Sequence, residues 1–124
     1  MDRNELKKQY KRTIKPMGIF QIKNIRNGKI LIGKSKDLDA VFNKQIFELE
    51  MGAHKNEQLQ KDWKEFGADS FTFEIIDRLE PKEDPEYKYD DDLKTLKELW
   101  FEKLQPYDEK GYNKKNELNY KSYT

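Results

Sequence analysis

Residues 18–33 read GIFQIKNIRNGKILIG, two short apolar runs separated by polar residues around an Asn-Gly pair. In the first run Ile22 continues the face of Phe20 by alternation; in the second Ile30, Leu31 and Ile32 are contiguous. Period-two alternation is the mark of a half-buried strand. Asn27-Gly28 suits the positive φ angles of a two-residue type I′ turn. The stretch therefore predicts a β-hairpin with strands at 17–24 and 29–34. Each strand carries a glycine at its open end, Gly18 and Gly33, where the turn has no need of one. Their expected role is to shape the hairpin ends where the sheet meets the first helix.

Upstream, Pro16 keeps Lys15 out of the helical region and marks a boundary. Residues 4–12, NELKKQYKR, have only Leu6 and Tyr10 to bury and predict a helical turn or two. Downstream, Asp37 is placed to cap a helix carrying Leu38, Val41, Phe42, Gln45, Ile46 and Leu49 at three- and four-residue spacing, with Gly52 at its end. Asn56 is placed to cap a second helix with Leu59, Trp63 and Phe66 on one face and Gly67 as a left-handed stop. Residues 70–79, SFTFEIIDRL, alternate as a strand with Phe71, Phe73 and Ile75 together. The segment 80–92, EPKEDPEYKYDDD, predicts a surface loop. Leu93, Leu96, Trp100 and Leu104 predict a third helix, closed by Pro106. The order β-β-α-α-β-α implies an α+β fold with a three-stranded sheet flanked by helices. The expected organisation is a basic N-terminal extension (1–16), one domain (17–113) and a polar tail (114–124).

Composition narrows the function. Charged residues make up 40% of the 124 and aromatics 13%, which favours a small aromatic core under a charged surface over disorder. The absence of cysteine excludes disulfides and thiolate metal sites. A single histidine, His54, excludes a multi-histidine metal cage. There is no Walker or dinucleotide glycine loop and no Ser/His/Asp set. No apolar run approaches the ~20 residues that cross a bilayer, so no membrane partner is expected and the expected location is the cytoplasm. Net charge is +1, but residues 1–51 carry 12 basic and 6 acidic side chains while residues 52–104 carry 9 and 15. Because counterion release is local, the basic half can contact phosphate although the whole chain is near neutral. Lys23, Arg26, Lys29, Lys34 and Lys36 are the candidate nucleic-acid-binding residues; the same charges also suit a strand edge protected from pairing. Tyr107, Tyr112, Tyr120 and Tyr123 suit base stacking or packing back onto the surface.

Gly18-Ile19-Phe20 and Ile30-Leu31-Ile32-Gly33 resemble the two halves of the GIY-YIG nuclease signature across its hairpin. Asn27-Gly28-Lys29 resembles that family's turn and Lys36-Asp37-Leu38 the start of its first helix. MGAHKNEQLQKDWKEFGADSFTFEII resembles its second helix and third strand, and WFEKLQP and GYN its end. The resemblance runs through residues 17–113 in order, toward the homing-endonuclease type and the N-terminal nuclease domain of the DNA-repair excinucleases.

By this resemblance, active members cut a DNA phosphodiester with one divalent metal. The hairpin tyrosines position and deprotonate water, an arginine on the first helix stabilises the phosphate, and a glutamate on the third helix holds the metal. Those four positions fall here on Phe20, Leu31, Val41 and Lys97. A commonly basic or histidine position one turn after Val41 falls on Gln45. Of the family's polar positions His54 and Asn113 match. Phenylalanine and leucine have no hydroxyl to orient or deprotonate water, valine cannot neutralise phosphate charge, and an ammonium group repels the cation that a carboxylate would bind. The site is therefore expected to be degenerate, with no catalytic residue and no cofactor, Mg²⁺ being needed only if the chain is active. Glu98 is the fallback metal ligand, but one residue along a helix is a rotation of about 100°. Three readings stay open: a non-catalytic domain that binds DNA through the basic hairpin and first-helix entry, in a repair or mobile-element context; a divergent metal-dependent DNA endonuclease using Glu98 or a carboxylate of Asp90-Asp91-Asp92; and a protein-interaction module whose acidic half meets a basic partner.

Overall fold

The computed structural model describes residues 3–6 and 14–115. Residues 3–6 are helical; the rest of the N-terminal turn expected at 4–12, and the tail tyrosines Tyr120 and Tyr123, lie outside the described residues. The elements are β1 (Met17–Asn24), β2 (Ile30–Ser35), α1 (Leu38–Glu50), α2 (Glu57–Phe66), β3 (Phe71–Leu79) and α3 (Asp90–Leu104), with short 3₁₀ turns at Ala68–Ser70 and Asp108–Lys110. This is the α+β order read from the sequence.

The sheet is antiparallel in the order β2-β1-β3. Its central strand, β1, is buried along most of its length, and its side chains divide the core by alternation. Phe20 and Ile22 face α1 and α2, packing with Leu38, Val41, Leu49, Leu59 and Trp63. Aromatic rings run across this side in edge-to-face steps: Phe20 to Phe42 at 5.9 Å, Phe42 to Phe73 at 5.6 Å, and Phe73 to Trp63 at 6.4 Å. Ile19 and Ile32 face the opposite way, onto Phe101 of α3. Asp37 and Asn56 cap α1 and α2 as expected, accepting from the backbone N–H of Ala40 at 3.2 Å and of Leu59 at 2.9 Å.

Four details differ from the sequence reading. The hairpin loop holds four residues rather than two. Asn24 N–H bonds the Lys29 carbonyl and Gly28 N–H the Asn24 carbonyl. The side chain of Asn24 accepts from Arg26 N–H and that of Asn27 from Lys29 N–H. These local bonds stabilise the longer loop, which competes successfully with the tight turn. Gly67 does stop α2, but with ψ at 157° beside φ at 87°, so it turns into an extended path and not a left-handed one. The acidic segment is a loop only to Tyr89. Asp90, Asp91 and Asp92 form the first turn of α3, where carboxylates offset the positive end of the helix dipole, and Tyr89 is buried against Met17 and Leu93. Finally, the deepest residue of α3 after Leu93 is Phe101, while Leu96, Trp100 and Leu104 pack around it.

The two end glycines are required for different reasons. A Cβ on Gly18 would lie 2.0 Å from the Asp77 carbonyl oxygen, beside the bulge where the β1–β3 register slips between Ile19 and Phe20. A Cβ on Gly33, the cross-strand partner of Phe20, would lie 2.3 Å from the Cζ atom of that ring. The first glycine admits a backbone and the second a side chain. Among the described residues no helix is long and apolar enough to cross a membrane.

Candidate functional site

The two-residue link between β2 and α1 sets the open end of the hairpin against the first turns of α1. Ser35 Oγ accepts from Asp37 N–H at 3.0 Å, and Leu38 N–H donates to the Pro16 carbonyl at 2.8 Å, fixing where the helix starts. On α1, residues 41, 44 and 45 then share the face that looks back at β2. Between them lies a shallow cleft of about 380 Å³. Buried Phe20 and Val41 form its floor, and the exposed Lys34, Lys36 and Lys44 stand around it with Gln45.

Three of the positions marked by the nuclease signature thus meet in one place: Phe20, Val41 and Gln45. Leu31 does not line the cleft; it is half-buried in the same apolar cluster, opposite Ile22. Lys97 does not reach it either. It stands on α3, which packs on the Ile19 and Ile32 side of the sheet, with Nζ 5.3 Å from the centre of the Phe101 ring. Glu98, the fallback carboxylate, is half-buried on the same helix and is not part of the cleft lining.

His54 is tied in on both sides. Its Nδ1 accepts from Asn56 N–H at 3.0 Å, and its Nε2 lies 2.5 Å from Gln45 Oε1. Burial holds its pKa below the ordinary 6.5. Its backbone N–H bonds the side chain of Gln60, which in turn donates to the Leu49 carbonyl. Asn113 has a structural task. Its Oδ1 accepts from Ile32 N–H at 2.8 Å and its Nδ2 donates to the Ile32 carbonyl at 2.9 Å, so one amide closes the outer edge of β2 as a neighbouring strand would. Beside it Gly111 bridges Ile30, and Tyr112 N–H donates to the Ile30 carbonyl.

The sequence reading missed two features. Lys44 contributes to the cleft; its spacing of three from Val41 was the available signal. Tyr112 is buried rather than presented for stacking. Its hydroxyl donates to Asp62 Oδ2 at 2.6 Å and accepts from Asn24 Nδ2 at 3.0 Å, while Asn27 also reaches Asp62. Burial, then the bond to Asp62, pushes the Tyr112 pKa up to about 12. Nothing in the local sequence links residues 24, 62 and 112.

The five candidate basic residues occupy both ends of the hairpin. Lys23, Arg26 and Lys29 sit at the loop end, with Arg26 Nε on Ser70 Oγ at 3.4 Å and Lys29 Nζ 5.9 Å from the Tyr112 ring centre. Lys34 and Lys36 lie at the open end, roughly 17 Å further along the strand at ~3.4 Å per residue. Lys36 Nζ pairs with Asp90 Oδ1 at 2.6 Å, and that bond holds the Asp90 carboxyl below its usual range. Asp92 accepts from the Tyr87 hydroxyl.

The donor set does not suit the divalent cation that the nuclease resemblance implies. Asp37 is the sole carboxylate in the cleft lining, and its Oδ1 caps α1. Lysines occupy the remaining rim. Among the described residues no three His, Asp or Glu side chains gather where they could hold a metal. A larger concavity of about 660 Å³ opens beside the start of α2, but its Lys55, Glu57, Asp108 and Lys115 alternate in sign, and of the signature positions it carries Asn113 alone, which is already committed to Ile32. The smaller cleft is therefore the site to weigh.

Comparison with known proteins supports the fold reading. The catalytic domain of the homing endonuclease I-TevI superposes with a TM-score of 0.65 at 27% identity, over 78% of this chain and 96% of that one. A variant of the same catalytic domain gives a TM-score of 0.61 at 26% identity, over 73% and 84%. Intron-associated endonuclease 1 of Enterobacteria phage T4 is 31% identical over 67 residues, 54% of this chain but 27% of that protein's length. No family model matches the chain.

Proposed function

We propose, for a chain homologous to an intron endonuclease and sharing the fold of the I-TevI catalytic domain, that it binds DNA at the hairpin–α1 cleft and does not cut it. The observation that carries this reading is the cleft floor. Where the GIY-YIG resemblance calls for a hydroxyl and a guanidinium stand Phe20 and Val41, both built into the apolar core. Neither can accept a proton from water or offset charge on a phosphate that is being attacked. The rim keeps what binding alone requires: ammonium groups on β2, on the link and on α1, free of any need for a metal. Each phosphate neutralised by such a group releases counterions, so binding should weaken steeply with salt.

Two measurements test this together: fluorescence anisotropy of a labelled DNA duplex across a salt series, and nicking of supercoiled plasmid with Mg²⁺ or Mn²⁺. Salt-sensitive binding without nicking is expected, with charge reversal at Lys34 and Lys44 weakening it. Nicking that disappears in Glu98→Ala would establish a divergent nuclease instead. Absence of binding at low salt would remove DNA as the partner.

A further inference from the structure

The bonding of His54 decides which way an amide in the cleft points. Nδ1 of His54 accepts from Asn56 N–H, so in the neutral ring the proton sits on Nε2. A protonated Nε2 facing Gln45 requires an acceptor there, which is Oε1. The other end of the Gln45 amide, with its two N–H donors, is therefore turned away from His54. Gln45 lines the cleft, and its amide nitrogen makes no hydrogen bond among the described residues. Around it the rim offers donors, Lys34, Lys36 and Lys44. Its nearby oxygens are engaged, Asp37 Oδ1 by Ala40 N–H and Ser35 Oγ by Asp37 N–H. A wall of donors with its acceptors already satisfied is complementary to a phosphate oxygen.

We infer that the Gln45 side-chain amide binds a non-bridging oxygen of a DNA phosphate seated in the cleft beside Lys44, with His54 as the positioning residue that presents it. This rests on the DNA-binding reading above and adds a specific donor to it. A hydrogen bond to a charged oxygen is worth about a factor of ten in affinity. Gln45→Leu should lose about that factor, and Gln45→Glu more, since it keeps an acceptor for His54 but turns a carboxylate toward the phosphate. If His54 acts through Gln45, His54→Ala should weaken binding in the native background and have little further effect once Gln45 is leucine.

The direct test is a ¹H–¹⁵N NMR titration of the full chain with a short blunt-ended DNA duplex, following the Gln45 side-chain NH₂ signals and the His54 ring nitrogens. Saturable movement of the Gln45 signals, with His54 held as the Nε2–H tautomer, is expected. Duplex binding that moves backbone signals at Lys23–Lys29 and leaves the Gln45 side chain still would overturn this inference while preserving DNA binding. No binding at low salt would overturn both. Equal effects of His54→Ala in the two backgrounds would remove its positioning role, and thermal melting of each variant separates that result from unfolding.

Discussion

Replacing Gly33 by alanine tests whether the ring of Phe20 is what holds the open end of the hairpin. The new methyl would meet Phe20 Cζ at 2.3 Å and Cε1 at 2.6 Å, where carbon atoms rest at about 3.5–4.0 Å. The ring would have to withdraw by more than ~1 Å, yet it packs edge-on against Phe42, and Phe42 against Phe73. Overpacking of this kind costs about 1–3 kcal/mol. Taking ~2 kcal/mol and a urea m-value of ~1.5 kcal/mol/M for a chain of this size, the unfolding midpoint should fall by roughly 1.3 M. Phe20→Leu removes the obstructing atoms at a cost of its own. In that background Gly33→Ala should become nearly neutral, helped by the ~0.4–1 kcal/mol that losing a glycine takes from the unfolded chain's entropy. The four proteins of this cycle, unfolded in urea, should give a coupling of ~1–2 kcal/mol. A coupling inside the ~0.5 kcal/mol expected of independent sites would refute the packing account. Gly18→Ala supplies the contrast: its clash is with the Asp77 carbonyl oxygen, so truncating Phe20 should not relieve it.

Asn113→Ala should strip Ile32 of both side-chain amide bonds, destabilise the chain by about 2–4 kcal/mol, and speed exchange of the Ile32 amide hydrogen; unchanged Ile32 exchange would contradict its place as the edge cap of β2. Tyr112 has a folded pKa of about 12 against an ordinary 10.0, so the stability it contributes is full below pH 10 and lost as pH rises through about 12. Tyr112→Phe should remove that part of the alkaline slope, and in the native protein tyrosinate absorbance should show one late-ionising ring. Lys97→Glu should leave plasmid un-nicked in Mg²⁺, because Phe20 and Val41 still floor the cleft; nicking by this single variant would show that the other lost groups were dispensable.

The fold was legible where local chemistry and global packing agree. Asp37 and Asn56 sit one residue ahead of amphipathic runs and cap them, and β1 alternates because it has a helical layer on each side. The Asn-Gly pair misled, since the side chains of Asn24 and Asn27 fold back on the loop and stabilise a four-residue turn that a dipeptide rule does not anticipate. The tract 80–92 read as loop throughout because a run of aspartates resembles a solvated linker, although the same charges favour a helix N-terminus. At the site, the losses at residues 20, 31, 41 and 97 were visible from the signature alone. That Asn113 serves the β2 edge, and that His54 orients Gln45, was not, because both depend on contacts made across the fold between residues far apart or on separate elements.

The positions that resemblance assigns to catalysis have been absorbed into different parts of the packing, and this bears on how readily activity would return. Phe20 and Val41 are buried members of one cluster with Leu31 against it, whereas Lys97 lies across the sheet beside Phe101. Restoring an arginine at residue 41 would place a guanidinium on an apolar floor already ringed by Lys34, Lys36 and Lys44, at the cost of burying charge among like charges. A glutamate at residue 97 would act only if the other groups returned with it. Single reversions thus each lose stability without gaining chemistry. Binding faces no such barrier, because it draws on the rim alone and leaves the floor as it is. Charge changes at Lys34 and Lys44 should therefore alter affinity for DNA while leaving unfolding free energies within about 0.5 kcal/mol, the usual range for exposed sites; a large loss of stability from either would mean that the rim, too, belongs to the core.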